Sequence, residues 1–325
     1  MEKLLVTGAA GFLGSNVVWF AREKYEVLAT TLNPIEVEGY EMEKMDITDR
    51  KACFDIIEKN KPDVVVHCGA IVDPVICEER REFANQVNVQ GTRNLADACA
   101  KVGARIVLTS SDWVFDGNKG FGERYTERDE TTPVNYYGVT KLKAENELRK
   151  SGAKWISVRP ANIYGNSFAI PKDKSLLEKY IKSRGGWTIN TINVLKDGKK
   201  IYLPIDWFQT PTLTSNFAKL VLRLHEEDQQ GIFHVAERTC VSRLGFAKEV
   251  AKVFDLDESL IEPVDTYNFA KSIGIDLKKS TMQFPKQTCL DVSKIEETLN
   301  IKMPLLREGL EEMKKQRITY DLFKG

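Results

Sequence analysis

Thr7-Gly8-Ala9-Ala10-Gly11-Phe12-Leu13-Gly14 is the segment that decides the fold, because of what lies on each side of it. The apolar run Lys3-Leu4-Leu5-Val6-Thr7 precedes it, and residues 15–24 have helical character. A strand, a glycine turn and a helix in this order form the phosphate-binding arrangement of dinucleotide-binding folds. The spacing is G-x-x-G-x-x-G rather than G-x-G-x-x-G, so the prediction depends on the position of the turn. The alternative is a plain tight turn.

The three glycines of this turn each have a physical reason to be there. Gly8 permits the tight turn, Gly11 lets the backbone approach a pyrophosphate, and Gly14 allows the helix to pack closely on the strand. The helix N-terminus offers N–H groups to phosphate oxygens. The cofactor contacts predicted in this turn are Gly8, Ala10, Gly11, Phe12, Leu13 and Gly14.

Strands and helices alternate at regular spacing up to about residue 165. This alternation predicts an α/β fold with a Rossmann-type, doubly wound parallel sheet. The strands predicted for this sheet span residues 3–7, 26–31, 63–67, 105–109 and 154–158. A long amphipathic helix is predicted over residues 80–102. Beyond residue 165 the regularity breaks. We therefore predict an NAD(P)-binding Rossmann domain over residues 1–165 and a smaller mixed substrate-binding lobe over 166–325, partly interleaved with the first.

Charge and hydropathy exclude several classes of protein. Lys and Arg together number 47, as do Asp and Glu, so the net charge is zero. This balance argues against bulk attraction to a nucleic acid polymer or an anionic membrane, although a local anion site remains compatible with it. No apolar run reaches membrane-spanning length, and no N-terminal signal segment is visible before the first strand.

The six cysteines predict no metal site. They form no C-x-x-C pair, and several lie in apolar or helical runs. We expect reduced thiols in a reducing, cytoplasmic compartment. The cysteines are Cys53, Cys68, Cys77, Cys99, Cys240 and Cys289.

The residues after the predicted strands are candidate cofactor contacts. The strand at 26–31 ends in Thr30 and Thr31, with neither an acid for the ribose nor an Arg for a 2′-phosphate, so the choice between NAD and NADP stays open. Asp46 either accepts a hydrogen bond from an adenine amino group or serves the start of the next helix, where Thr48 or Asp49 is a good N-cap.

Two buried polar residues are open to more than one interpretation. His67 ends a buried strand and is interpreted as a core histidine rather than a ligand. The small residues Cys68-Gly69-Ala70 that follow it leave room for a flat ring. Asn88 lies on an apolar helix face, where it needs hydrogen-bond partners. It is either structural or part of a proton relay.

A tyrosine and a lysine four residues apart predict acid–base chemistry. Tyr137 and Lys141 lie in a predicted helix and share one face of it. A neighbouring ammonium lowers the pKa of a phenol, which can then donate a proton to a carbonyl oxygen as it becomes an alcohol. The alternative is a surface helix that carries both residues by chance. Ser111 follows the strand at 105–109, at the sheet edge where such folds bind ligands.

Taken together, these residues resemble the extended short-chain dehydrogenase/reductase superfamily over nearly the whole chain. Ser110-Ser111-Asp112-Trp113-Val114-Phe115-Asp116-Gly117 is similar to the Ser-Thr-Asp-Tyr-Val-Phe-Asp-Gly stretch of dTDP-4-dehydrorhamnose reductases. The segments 137–145 and 208–212 fit that family too. The resemblance extends equally to the regulatory beta subunit of methionine adenosyltransferase.

The resemblance implies NAD(P)H as cofactor and Ser111, Tyr137 and Lys141 as the catalytic triad. The implied cofactor contacts beyond the glycine turn are Thr30, Asp46, Ile47, Cys68, Gly69, Ala70, Ile71, Thr109, Tyr137, Lys141 and Pro160. The implied substrate contacts are Ser111, Asp112, Trp113, Asn162 and Gln209. The departures from the family pattern are Ile71 in place of a His, Pro74-Val75-Ile76 in place of Val-Asp-Lys, Trp113 in place of a Tyr and Asn162 in place of a Trp.

The function we expect is NAD(P)H-dependent reduction of a nucleotide-linked 4-keto-deoxysugar. A dehydratase would need an Asp-Glu pair after Ser111, but Trp113 follows Asp112. An epimerase commonly has small residues there. The alternatives are a sugar-nucleotide epimerase and a cofactor-binding regulatory subunit of an adenosyltransferase-type synthetase. The expected partner is a nucleotide sugar, with no membrane and no nucleic acid polymer, and a homodimer stays open.

Overall fold

The computed structural model describes residues 1–173, 175, 186–277 and 282–316. The strands in chain order are β1 (Lys3–Thr7), β2 (Glu26–Thr31), β3 (Glu43–Lys44), β4 (Val64–His67), β5 (Arg105–Thr109), β6 (Lys154–Arg159), β7 (Ile163–Tyr164), β8 (Ile201–Pro204), β9 (Phe208–Gln209), β10 (Thr212–Leu213), β11 (Gly231–His234), β12 (Val241–Ser242), β13 (Ile261–Val264) and β14 (Gln287–Thr288). The α-helices are α1 (Phe12–Ala21), α2 (Arg50–Asn60), α3 (Pro74–Glu79), α4 (Arg81–Asn85), α5 (Gly91–Val102), α6 (Tyr136–Lys150), α7 (Gly186–Lys196), α8 (Thr214–Glu226), α9 (Arg243–Val253), α10 (Thr266–Ser272), α11 (Ser293–Leu299) and α12 (Leu306–Gln316).

The main sheet confirms the predicted doubly wound architecture. Within the described residues it has seven strands in the order β11-β6-β5-β4-β1-β2-β3, and every neighbouring pair is parallel. The strand order reverses between β1 and β4. In open parallel sheets, ligands bind in the crevice at the carboxyl ends of the strands at such a reversal. The glycine turn after β1 therefore lies at the expected binding edge.

Two hydrophobic layers cover the sheet. One face packs against α1 and α8 in a core that includes Val17 and Phe217. The other packs against α2 and α5 in a core that includes Ile57, Leu95 and Ile106. Because both faces are buried, the central strands are continuous apolar runs rather than alternating ones.

The second half of the chain contributes to both parts of the structure. Strand β11 joins the main sheet beside β6, although it lies well beyond residue 165. The remaining strands form small sheets, including the three-stranded sheet β12-β9-β14. The division into domains at residue 165 stays a prediction, and the chain path is interleaved across it.

The predicted helix over residues 80–102 is confirmed from Arg81 to Val102 as an unbroken succession of α4, a π-helical turn and α5, with its start one residue later than predicted. Helix α3 is a separate short helix that begins at Pro74, where the Asp73 carboxylate accepts hydrogen bonds from the N–H groups of Val75 and Ile76. Arg80, with φ −124° and ψ 54°, interrupts the helical backbone. Between α4 and α5, residues Gln86–Gln90 form a π-helical turn. The apolar pattern spans all of these elements, so it did not reveal either change in the backbone.

The prediction of six reduced thiols is also wrong for one pair. Cys240 and Cys289 form a disulfide whose Cα atoms are 5.5 Å apart. Cys240 precedes β12 and Cys289 follows β14, the two strands that flank β9. The two residues lie 49 positions apart in the chain, so no local spacing predicted that they would meet. The other four cysteines are free.

Candidate active site

The backbone of the glycine turn leaves no room for a side chain at Gly8 or Gly14, as the sequence predicted. Gly8 has φ +65°, and a Cβ atom there would lie 2.8 Å from the backbone nitrogen of Gly69. At Gly14 a Cβ would lie 2.2 Å from the Gly8 carbonyl oxygen. Gly11 is the N-cap of α1 and provides no side chain to cap the first turn. The result is a backbone cradle at a helix N-terminus, which fits a pyrophosphate.

A cavity of about 310 Å³ opens at the carboxyl ends of β1, β2 and β4. Nine predicted cofactor residues line it: Gly8, Gly11, Thr30, Asp46, Ile47, Cys68, Gly69, Ala70 and Ile71. The other predicted cofactor residues are not among its lining: Ala10, Phe12, Leu13, Gly14, Thr109, Tyr137, Lys141 and Pro160. Lining residues that the sequence reasoning missed are Thr7, Thr31, Leu32, Met45, Thr48, Phe83, Gln86 and Val87. The last three lie in the predicted helix at 80–102, where the sequence offered no signal for a cofactor contact.

The hydrogen bonds of Asp46 and His67 show the structural role of each side chain. Asp46 Oδ1 accepts from the N–H of Thr48 at 2.9 Å and from its hydroxyl at 2.7 Å, while Asp49 is the N-cap of α2. His67 is buried between the hydroxyls of Thr7 and Thr92. Burial lowers the pKa of His67 to about 3, so the ring is neutral. This confirms a core histidine, and Asp46 still lines the cavity.

Asn88 holds two parts of the candidate site together. Its Oδ1 accepts from the N–H of Ile71 at 2.8 Å, and its Nδ2 donates to the Ile71 carbonyl at 2.9 Å. The same Nδ2 donates to the hydroxyl of Thr140 at 2.9 Å, and that hydroxyl donates to the Tyr137 carbonyl. These hydrogen bonds of the Asn88 amide are structural, because they link the turn after β4 to α6.

Lys141 and Tyr137 lie on the inner face of α6, whose N-cap is Asn135. Lys141 is buried, and its ammonium donates to the Thr109 carbonyl at 2.7 Å. Burial lowers the pKa of Lys141 to about 8. Burial also raises the pKa of the Tyr137 phenol, and a contact with the Ser111 hydroxyl acts in the opposite direction. The pKa of the phenol is therefore raised rather than lowered as predicted, and the ammonium is directed at the Thr109 carbonyl.

Ser111 and Asp112 follow β5 and form one buried network. The Ser111 hydroxyl donates to Asp112 Oδ1 at 3.1 Å and accepts from the N–H of Trp113 at 3.2 Å. Asp112 Oδ2 accepts from Gln209 Nε2 at 2.8 Å and from the Thr288 hydroxyl. Burial raises the pKa of Asp112 to about 6, although these donors oppose the shift.

The predicted substrate residues gather around an aromatic cluster. The Trp113 ring lies edge-on to Tyr137 with centroids 5.7 Å apart, and it also contacts Trp207 and Phe284. Asn162 has φ +37°, and its Oδ1 accepts from Arg243 Nη1 at 2.8 Å. The sequence reasoning missed Trp207, Phe284, Thr288 and Arg243. Only the position of Trp207 beside the motif 208–212 offered a signal for any of them.

Comparison with known proteins gives the family. The profile of the RmlD substrate binding domain matches residues 1–318, which is nearly the whole chain. The chain belongs to the RmlD family. It is therefore an NAD(P)-dependent reductase of the extended short-chain dehydrogenase/reductase superfamily.

Curated relatives of this RmlD-family chain carry three kinds of name. A probable low-salt glycan biosynthesis reductase of Haloferax volcanii is 31% identical over 94% of this chain and 95% of its own. A dTDP-4-dehydrorhamnose reductase of Mycobacterium tuberculosis is 31% identical over 83% of this chain and 81% of its own. The methionine adenosyltransferase 2 subunit beta of Mus musculus is 28% identical over 96% of this chain and 86% of its own.

Solved structures agree with the fold of the RmlD-family chain. A dTDP-4-dehydrorhamnose reductase of Clostridium acetobutylicum is 29% identical, with a TM-score of 0.81 and full coverage of both chains. The same enzyme of Bacillus anthracis, in complex with NADP, also has a TM-score of 0.81, at 24% identity over 97% of this chain and 99% of its own. Among the residues that the structure describes, no helix is long and apolar enough to cross a membrane.

Proposed function

We propose that this reductase acts on a nucleotide-linked 4-keto-deoxysugar. The observation that carries the proposal is the convergence of Tyr137, Ser111 and Lys141 at the carboxyl end of β5. The Lys141 ammonium lies 5.9 Å from the centre of the Tyr137 ring, and it donates to the last residue of that strand, two positions before Ser111. A proton donor, a second hydroxyl and a cation in one place are what carbonyl reduction needs. The names of the related reductases support a sugar-nucleotide substrate.

The glycine cradle and the cavity beside it would hold NADPH or NADH. The Gly8–Gly14 turn would bind the pyrophosphate, and the strand ends at Thr30 and Asp46 would receive the adenosine half. Gly69 and Ala70 would leave room for the nicotinamide ring. When bound, the cofactor supplies the hydride.

The protein's own groups would supply the proton and orient the ketone. With its raised pKa, the Tyr137 phenol is protonated at neutral pH, so it can donate to the ketone oxygen. Ser111 would hydrogen-bond the same oxygen as negative charge develops on it. Lys141 would hold the nicotinamide ribose and its positive charge would favour the phenolate left behind. Hydride on carbon and proton on oxygen complete the alcohol.

The similarity to methionine adenosyltransferase 2 subunit beta favours a second role, which is binding to an adenosyltransferase-type synthetase. That relative is similar over almost the same length as the reductases. Co-purification with such a synthetase, with no turnover of any 4-keto sugar nucleotide, would favour this role. Among enzymes of the superfamily, an epimerase is disfavoured by the bulky Trp113 that follows Asp112.

The test is NAD(P)H oxidation with a panel of 4-keto sugar nucleotides, using wild type and Tyr137→Phe. This substitution keeps the ring and removes the proton, so turnover should fall by about 10²–10⁴-fold, the usual effect of a positioned proton donor. Cofactor affinity should change little. Tyr136→Phe on the same helix is the matched control and should keep wild-type turnover. Near-wild-type turnover in Tyr137→Phe would contradict the assignment.

A further inference from the structure

Arg243 is a cation inside the substrate lobe that the proposed reaction does not yet use. It is the first residue of α9, directly after β12. Its guanidinium lies over the Trp207 ring at 4.5 Å and the Trp187 ring at 5.1 Å. Nη1 donates to Asn162 Oδ1 at 2.8 Å. Two aromatic faces and one amide therefore fix the plane of the guanidinium.

The charge of this guanidinium is incompletely balanced. Burial lowers the pKa of Arg243 to about 10, and its Nε is buried without a hydrogen-bond partner. In the described part of the chain, no carboxylate forms an ion pair with it. The acid that acts on it is Asp112, whose oxygens are taken by Ser111, Gln209 and Thr288. Arg243 is half-buried, and a cation whose Nε is shielded from water without a paired anion is costly, which favours an anionic partner from outside the chain.

The position of Arg243 connects it to the reacting groups. The Trp207 ring beneath it contacts the Trp113 ring at 6.1 Å between centroids, and Trp113 contacts Tyr137 at 5.7 Å. Asn162 lies two residues after Pro160, and the Pro160 carbonyl accepts a hydrogen bond from the N–H of Asp112. The guanidinium thus contacts the same aromatic cluster that contacts the tyrosine.

Two further buried polar atoms near this position have no partner. They are Trp207 Nε1, a donor, and Gln209 Oε1, an acceptor, both on residues that are at most 4% exposed. Such groups are costly to leave unpaired, and each is rare in folded proteins. The Arg243 N–H donates to the Trp207 carbonyl at 3.0 Å, and Gln209 pairs with Val241 just before Arg243, so the three residues are neighbours. A donor, an acceptor and a cation on neighbouring residues are typical of a polar ligand site.

We propose that Arg243 binds an oxyanion of the substrate and that Asn162 is its positioning residue. The anion is either the diphosphate of the nucleotide or a carboxylate on the sugar, because a guanidinium fork binds both in the same bidentate geometry. This inference rests on the proposed function, since it assigns a contact within the same site. Asn162 replaces the aromatic residue expected from the family pattern, so the Asn162–Arg243 pair accounts for that departure.

The experiment measures equilibrium binding by calorimetry to the NADPH-loaded protein. The probes are dTDP, UDP, UDP-glucose and UDP-glucuronate, and the variants are Arg243→Gln, Arg243→Lys and Asn162→Gly. Glycine at 162 removes the amide and tolerates the positive φ. Arg93→Gln is the control, because Arg93 is exposed and makes only long ion pairs at 3.9 and 3.8 Å. NADPH affinity and the thermal midpoint report any general damage to the fold.

The expected result is a rise of about 10- to 100-fold in the Kd of the anionic probe for Arg243→Gln, as for a lost charge-assisted hydrogen bond. Arg243→Lys and Asn162→Gly should fall between that variant and wild type, with NADPH affinity unchanged in all of them. If the diphosphate is the anion, all four probes weaken together. If the carboxylate is the anion, only UDP-glucuronate weakens.

Two other outcomes separate this inference from the proposed function. Turnover of a 4-keto sugar nucleotide with an unchanged KM in Arg243→Gln, together with unchanged binding of all four probes, would overturn the role of Arg243 and leave the reductase standing. Arg243-dependent binding of the probes in a chain that reduces none of the ketones would support the oxyanion site and overturn the proposed reaction. A wild type that binds none of the four probes would also overturn the site.

Discussion

At the scale of single residues, burial rather than sequence spacing determines the acid–base groups. The four-residue spacing of Tyr137 and Lys141 correctly placed both on one face of α6. The spacing could not show that the Lys141 ammonium is directed at the carbonyl of Thr109, because Thr109 lies 32 positions away in the chain. Burial then shifts the phenol and the ammonium in opposite directions, which leaves both nearer their neutral forms. The tyrosine therefore keeps its proton at neutral pH, and the lysine becomes the group that titrates near physiological pH.

The first prediction concerns the pH dependence of the reduction. Burial lowers the pKa of Lys141 to about 8, while the Cys68 and Cys77 thiols and the Glu145 carboxylate oppose that shift. The ammonium is therefore charged below about pH 8 and is lost above it. If the charge serves the cofactor and the phenol, kcat/KM for ketone reduction should fall about tenfold per pH unit on the alkaline side. The measurement is a pH–rate profile from about pH 6 to pH 10.

Lys141→Arg is the matched control for that profile, because a guanidinium stays charged across the range. Its rate should be lower than that of wild type, because a bulkier guanidinium replaces the ammonium that donates to the Thr109 carbonyl. Its alkaline limb should disappear. A wild-type profile that is flat between about pH 7 and pH 10 would contradict a catalytic role for the charge.

At the scale of elements, the sequence predicted the strands better than the helices and the cross-links. The strands at 3–7, 26–31 and 105–109 were predicted to the residue, because buried parallel strands are continuous apolar runs bounded by turns. The helix predicted over 80–102 is present from Arg81 to Val102, but the apolar pattern did not reveal the π-helical turn at Gln86–Gln90. The disulfide and Arg243 failed for a different reason. Each depends on two segments of the substrate lobe meeting in space, and no periodicity in either segment records that meeting.

The second prediction concerns the N-terminus of α1. Gly11→Asp would place a carboxylate where the helix N-terminus and its N–H groups would meet the pyrophosphate, so cofactor affinity should fall by at least about 100-fold, from charge repulsion and steric contact combined. Gly11→Ala is the matched control for size alone. Its Cβ would lie 2.9 Å from the Gly8 carbonyl oxygen, so a smaller loss is expected. Fluorescence titration with NADPH measures the affinity of both variants. Unchanged affinity in Gly11→Asp would show that the cofactor does not bind at this turn.

The third prediction counts thiols. Because Cys240 and Cys289 are joined and four cysteines are free, the unfolded, unreduced chain should react with a thiol reagent at four positions. After reduction the number should rise to six. Cys289→Ser should destabilise the fold by about 2–5 kcal/mol, as the loss of a native disulfide does in small domains. Six reactive thiols before reduction would show that the purified protein keeps both cysteines reduced.

At the scale of the whole molecule, one buried carboxylate connects the two parts of the chain. Asp112 follows β5 of the main sheet, and its partners Gln209 and Thr288 lie on β9 and β14 of the three-stranded sheet. The disulfide joins the two strands that flank β9 and so holds the same small sheet together. Ser111, which also donates to Asp112, is one of the candidate catalytic groups. The position of the three-stranded sheet and the orientation of the Ser111 hydroxyl are therefore coupled through a single side chain.

The last prediction tests that coupling by its effect on stability. Asp112→Ala leaves the Gln209 amide and the Thr288 hydroxyl without their acceptor, which should cost about 1–3 kcal/mol of unfolding free energy. Burial raises the folded-state pKa of Asp112 to about 6, above its ordinary value. A group shifted in this direction contributes most in acid, and its contribution decreases as the pH rises through about 6. The destabilisation should therefore be larger at about pH 5 than at about pH 8.

Chemical denaturation at the two pH values measures the effect, with Thr288→Val as the matched control. That variant removes one donor and leaves the carboxyl with Ser111 and Gln209, so it should cost less. Because the Thr288 hydroxyl opposes the shift, its loss should move the pKa of Asp112, and with it the pH dependence of stability, upward. If Asp112 also orients Ser111, Asp112→Ala should lower kcat for ketone reduction while NADPH affinity stays unchanged. An Asp112→Ala chain that unfolds at the wild-type denaturant midpoint at both pH values would show that other contacts hold the lobes together, because no buried donor would then depend on this carboxyl.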